Sequence, residues 1–140
     1  MIRSVVICLV ALLPVKGFSN QFLTLPAVKK IITITINPNG MVYMDRDTMY
    51  TDALAEQLKE RLWRSYLGNG KMYDAIKVIF AGEVLMGVKG AALDAIKLAQ
   101  ENALKDLCLQ KHKKLYENLD IGQQKRLQRQ FPVLFQKIGW

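Results

Sequence analysis

Apolar and polar residues alternate through Ile32-Thr33-Ile34-Thr35-Ile36. A period of two predicts a strand with one buried face, here over residues 31–36. Asn37-Pro38-Asn39-Gly40 follows as a turn, and its Asn-Gly pair supplies the positive φ that tight hairpins need. Met41-Val42-Tyr43-Met44 then returns as a second strand, closed by Asp45-Arg46-Asp47. The period changes at Thr51. Leu54, Leu58, Leu62 and Tyr66 recur every four residues and so share one helix face. Thr51 is the expected N-cap and Gly68 the expected C′ residue of a helix over 52–67. Its acids (Asp52, Glu56) precede its bases (Arg61, Arg64), the order the helix dipole favours.

Residues 69–74 read as a loop. Ala75-Ile76-Lys77-Val78-Ile79-Phe80 is more continuously apolar, as a central strand is. From Val88 a long helix is expected, with Ala92, Ala95, Ile96, Ala99, Ala103 and Leu107 as its apolar stripe. The small residues in that stripe imply close packing on the sheet. Lys97, Glu101 and Lys105 are four apart and can pair along its outer face. The helix can run on through Lys111–Lys114. Asp120 and Gln123 have the spacing of a capping box for a short last helix, which Pro132 stops. Phe131, Val133, Leu134, Phe135 and Trp140 form an apolar tail, expected to pack as a last edge of the core; exposed, it would be a partner patch.

Together these elements predict an α+β fold. It is a two-layer sandwich, a small sheet with two helices on one face, plus a C-terminal helical extension. The α/β domain takes residues 31–107 and the basic extension with its apolar tail takes 108–140. A tether over 20–30 precedes them, with Pro26 disfavouring regular structure.

The first nineteen residues have a separate character. Met1-Ile2-Arg3 is a positive start. It is followed by an apolar run that includes Val5, Val6, Ile7, Leu9, Val10, Leu12 and Leu13. Gly17 and Ser19 are small and would stand at −3 and −1 for cleavage after Ser19, a signal-peptide pattern. Crossing a bilayer takes roughly 20 apolar residues, whereas a run of roughly 10–14 suits an export signal. A signal peptide, a short uncleaved membrane anchor and a buried core element all remain open from the residues alone.

Composition narrows the function classes. With 140 residues, of which 51% are hydrophobic, one domain with a core is expected and disorder throughout is excluded. The formal charge is +8, and it is uneven. Residues 1–104 carry 12 basic and 9 acidic side chains, whereas 105–140 carry 8 and 3. That stretch is either a solvated helix face short of acids or a patch for phosphates, acidic polymer or anionic headgroups. Tyr116 is the only Phe, Tyr or Trp within 105–129 and no nucleic-acid motif surrounds it, so a nucleic-acid partner is not expected. Cys8 and Cys108 form no disulfide framework and no metal-type spacing with His112, the single histidine. Cys108 and His112 lie one helical turn apart, but no third group to orient a catalytic pair is evident. Gly87-x-x-Gly90 lacks the Gly-Lys-Ser/Thr ending of a phosphate loop and reads as a helix start. No catalytic, cofactor or metal residues are therefore assigned, and a non-enzymatic role is expected.

The order of elements carries a resemblance. Leu25-Pro26-Ala27 leads into the strand 31–36. After it come the Asn39-Gly40 hairpin, a Leu-rich helix, the strand Ile76–Phe80 and a Gly-containing loop opening an Ala-rich helix. This order resembles the ExbD/TolR family over roughly residues 25–135. Lys111-x-x-Lys114-Leu115-Tyr116, Leu119, Gln123-Gln124 and Phe131-Pro132 are similar to the extension of ExbD-like proteins of Bacteroidota. The resemblance implies a periplasmic domain tethered at the inner membrane, working as an accessory subunit of TonB-type, proton-motive-force-driven envelope transport. Its implied partners are an ExbB/TolQ-like channel subunit, a TonB/TolA-like protein and a second copy in a homodimer. Leu25, Pro26, Phe131, Phe135 and Trp140 are the candidate partner contacts. The chain departs from the family in having no acidic residue before Asp45, so the membrane aspartate has no counterpart here. Phe80-Ala81-Gly82-Glu83 and Val84-Leu85-Met86-Gly87 stand where the family has Ala-Asp and Val-Pro-Tyr-Gly. The alternative is a free periplasmic binding module, for cell-wall polymer or a receptor, without the proton-coupled helix.

Overall fold

The Ile-Thr alternation forms the strand it predicts, at the middle of a four-stranded mixed sheet. A computed structural model describes residues 28–139. The apolar run with Val5, Val6, Ile7, Leu9, Val10, Leu12 and Leu13, the candidate cleavage site Ser19, and Leu25, Pro26 and Trp140 lie outside the described residues. The elements are β1 (Ile31–Ile36), β2 (Met41–Met44), β3 (Asp47–Tyr50), α1 (Thr51–Asn69), β4 (Ala75–Phe80), α2 (Met86–His112) and α3 (Ile121–Gln130). Single 3-10 turns, Tyr116–Asn118 and Pro132–Leu134, flank α3. The sheet order is β3-β2-β1-β4, with β4 parallel to β1 and the other pairs antiparallel.

The first hairpin is set by its turn. Asn37 Oδ1 accepts from the N–H of Asn39 at 3.1 Å and of Met41 at 2.9 Å, and Gly40 takes φ +81°. The sequence expectation ends the hairpin at Asp47, but the structure adds β3. Its signal is faint because it is only four residues long and only Met49 is apolar and turned to the core. Pairing with β2 (Val42 with Met49, Met44 with Asp47) creates it, not local alternation. Arg61 on α1 then locks the turn, donating to Asp45 at 2.8 Å and to Asp47.

Ile32, Ile34, Ile36, Val42 and Met44 on one sheet face are buried against Leu54, Leu58 and Leu62 of α1 and Ala92, Ile96, Ala99, Ala103 and Leu107 of α2. The predicted two-layer α+β sandwich is the observed fold. Several helix limits move. Tyr50, not Thr51, occupies the N-cap of α1 and makes no side-chain cap bond. The helix continues past Gly68, and Gly70 closes it at φ +75°, its N–H donating to the Tyr66 carbonyl. Helix α2 starts at Met86 and stops at His112, where Lys113 turns left-handed. Lys97, Glu101 and Lys105 make no ion pair within 4.0 Å among the described residues. The ion pair that α2 makes is with α1, where Lys59 reaches Asp106 at 2.7 Å.

With 27 residues, α2 is about 40 Å long, roughly twice the length of a six-residue strand. It runs unbroken through residues 107 and 108 and overhangs the sheet. The overhang needs cover, and α3 and the tail supply it. The capping box forms as predicted: Asp120 Oδ1 accepts from the Gln123 N–H at 2.8 Å, and the Asp120 N–H donates to Gln123 Oε1 at 3.3 Å. The tail packs, with Val133 fully buried and Phe131 and Leu134 nearly so. Gln100, the one buried polar side chain of the described core, holds it there. Its Nε2 donates to the Val133 carbonyl at 2.8 Å and to the Gln136 carbonyl at 3.0 Å.

Replacing Gln100 by Leu keeps the volume but strips both tail carbonyls of their donor, which costs about 1–3 kcal/mol per buried unpaired group. Denaturant unfolding of the Gln100→Leu variant is expected to show that loss. Amide exchange over residues 131–136 is expected to accelerate more than exchange in β1.

Candidate interaction surface on the open sheet face and edge

A sheet packed on one side shows its other side. The rows of that face follow from the register. Thr48, Tyr43, Thr35 and Ile79 stand side by side across all four strands, with Tyr50 beside Met41, Thr33 beside Lys77, and Ile31 beside Ala75. Tyr50 is 64% exposed, Ile31 47%, Tyr43 42% and Ile79 38%. Lys77 is the only charged side chain among them. The alternation that buries the isoleucines of β1 thus places a flat, hydroxyl-rich and aromatic surface on the opposite side. Tyr and β-branched residues there offer apolar area with a hydrogen-bonding tip, the composition that interface cores favour over charge. The sequence pattern assigns these residues to the solvent side of a sheet but does not reveal that, among the described residues, no other layer covers them.

The sheet's edges differ. β3 is short, tied down by Arg61, and passes directly into α1. β4 carries backbone groups that face away from β1. Ala81 donates its N–H to Ile36, so the odd-numbered residues of β4 bond β1 and the even-numbered ones face outward. Gln136 meets the first of them. Its side-chain amide accepts from the Ile76 N–H at 2.8 Å and donates to the Ile76 carbonyl at 2.8 Å, filling the place of one residue of a fifth strand. Beyond that plug, among the described residues, the N–H and C=O of Val78 and Phe80 have no partner. An unpaired edge is a template for an added strand.

The candidate partner contacts from the sequence fare unequally. Phe131 is buried, its ring 5.6 Å from that of Tyr66 in an edge arrangement, with Lys111 Nζ 5.1 Å above it. It packs in the core of the described residues, beside Tyr66 and Lys111. Phe135 is half-buried against Tyr116 at 5.5 Å. The structure therefore moves attention from the tail to the sheet.

Among the described residues no group of three or more His, Cys, Asp or Glu side chains is placed to hold a metal ion. Cys108 is fully buried, and no hydrogen bond joins it to His112. Burial, and secondarily the charge of Glu117, pushes its thiol above the ordinary 9.0. Gly87 and Gly90 lie within the first turns of α2, as a helix start.

The raised thiol fixes a sign. Burying Cys108 uncharged contributes stability that is complete below pH 9.0 and is lost as pH rises through the folded value. Iodoacetamide at neutral pH is expected to label Cys108 slowly in the folded chain and rapidly in denaturant, read by intact mass. At the edge, Gln136→Ala removes the plug on Ile76, and faster amide exchange at Ile76 with unchanged exchange at Lys77 is the expected result. The chain matches no protein-family model, no curated protein and no solved structure, so the geometry of this surface carries the functional reading.

Proposed function

We propose that this protein works by protein–protein contact, as an ExbD-like accessory subunit of a proton-motive-force-driven envelope transport complex. The single observation that carries the contact role is the uncovered sheet face, with Tyr43, Tyr50, Ile31 and Ile79 exposed around Thr33 and Thr35. Its free β4 edge beside Val78 and Phe80 extends that surface. The order of elements and the apolar run before the domain support the transport setting. In it, the face would meet an ExbB/TolQ-like subunit, a TonB/TolA-like protein or a second copy of the chain, from the periplasmic side of the membrane.

A second reading is a free periplasmic binding module that uses the same surface without the motor. A proton-coupled membrane helix needs an ionisable group, and residues 1–44 hold no acidic side chain. Among the described residues, no helix is long and apolar enough to cross a membrane.

The intact mass of the chain in membrane and soluble fractions separates the two. A membrane-bound chain beginning at Met1 that co-purifies with a large channel protein is expected for the transport subunit. A soluble chain beginning at Asn20 would leave the free module. For the surface itself, a photo-crosslinker at Tyr43 or Ile79 is expected to capture a partner that one at Leu109, exposed on α2, does not. Tyr43→Asp places an unpaired charge on the face. It is expected to weaken capture tenfold or more, about 1.4 kcal/mol or above, while the unfolding midpoint changes little.

A further inference from the structure

Helix α1 ends where β4 begins and α2 begins where β4 ends, so both helices run opposite to β4 and finish at the end of the sheet where β1 starts. Other segments meet there. The Lys30 N–H donates to Asp74 Oδ2 at 2.6 Å, and its Nζ lies 4.5 Å from the Tyr73 ring centroid. Lys71, Tyr73 and Asp74 line one wall of a groove of about 460 Å³, with Lys111, Gln130 and Phe131 opposite. A second groove of about 280 Å³ continues from Lys111 and Gln130 to His112 and Arg126. The charged side chains facing the two grooves are thus Lys71, Lys111 and Arg126 against Asp74, which already holds the Lys30 N–H. None of those three cations has an ion pair among the described residues.

The α2 dipole accounts for Lys111 in the last turn of that helix. It does not account for Lys71 or Arg126, which come from a loop and from α3 onto the same surface. The position of the chain adds a second argument. The described chain begins at this end, at Val28, and twelve residues such as 16–27 span no more than about 40 Å. The apolar run at 4–15 is therefore leashed to the basic end and not to the far end of the sheet.

We propose that this end of the domain is a docking surface for anionic phospholipid headgroups, with lipid phosphates on Lys71, Lys111 and Arg126 and Tyr73 at headgroup depth. The proposal takes from the transport reading the placement of residues 4–15 in a membrane. Attraction of basic side chains to an anionic leaflet adds up residue by residue and fades within a Debye length of about 8 Å. A leash of this length lets the patch come within reach of that field. Docking here points the strands away from the bilayer. The open face then stands beside the membrane, turned to a neighbouring subunit.

The test adds the full chain to preformed vesicles of phosphatidylcholine alone or mixed with phosphatidylglycerol. Flotation and the rate of tryptic cleavage after Lys111 are both measured. The comparison is a Lys71→Glu/Arg126→Glu variant, whose two side chains are exposed and unpaired in the described structure, so folding is retained and is checked by circular dichroism. The expected result is flotation on both vesicles, with cleavage about tenfold slower on the anionic ones. The double variant, or salt at about 0.5 M, abolishes that difference. Flotation on both with equal cleavage overturns the docking surface and leaves the anchor intact. Salt-sensitive flotation on anionic vesicles alone supports docking and removes the anchor. Flotation on neither overturns both.

Discussion

Ile32, Ile34 and Ile36 are wholly buried, and a strand that buries every second residue must show the alternate ones on its other side. That constraint shapes the whole molecule. The isoleucines need a layer of helices, and α1 and α2 provide it on one face. Thr33 and Thr35 then look outward, and the register extends their row to Tyr43, Thr48 and Ile79. Among the described residues, no further helix packs on the second face. The open surface is thus a direct consequence of how the core is built, and it is the surface on which the proposed contact function rests.

Length mismatch is the second organising fact. Helix α2 is about twice as long as the strands it covers, and the turns that flank α3 pack against it. Gln100 lies where overhang and sheet meet. Through its side chain it fixes the carbonyls of Val133 and Gln136, and Gln136 in turn closes the edge of β4 at Ile76. A buried amide on a helix thereby decides how far the sheet's edge stays open. The tail is both core cover and edge plug.

The charge distribution follows the same geometry. Both long helices end together, so their negative dipole ends gather where β1 begins, and basic residues from the 70–74 loop, from α2 and from α3 collect around them. Arg61 and Lys59, by contrast, are used within the fold, against Asp45, Asp47 and Asp106. Lys71, Lys111 and Arg126, which have no ion pair among the described residues, meet at one end, and Lys77 is the one charged side chain in the rows of the open sheet face. Two surfaces of different chemistry result, one uncharged and flat, the other basic and grooved.

Local pattern was enough for the strands 31–36 and 75–80, the leucine face of α1, the alanine stripe of α2 and the capping box at Asp120, but the continuous apolar run of 75–80 reads as a central strand whereas β4 lies at the edge, where the tail covers it in place of a fifth strand. In each case the signal is a short-range period or a fixed spacing that one segment states by itself. The same is true of the net charge and its bias to the C-terminal quarter. Strand β3 was not legible, because four residues with one inward apolar side chain carry no period and become a strand only by pairing with β2. The closing glycine of α1 was misplaced by two residues, since Gly68 and Gly70 are equally suited to the role and packing decides between them. Phe131 reads as an apolar tail residue and becomes core only when α2 and α3 fold over it. Sequence by itself determined which side chains face inward and which outward along each element. Only the tertiary structure decided which outward faces stay uncovered, which edge is plugged and which cations meet, because those depend on contacts between residues far apart in the chain.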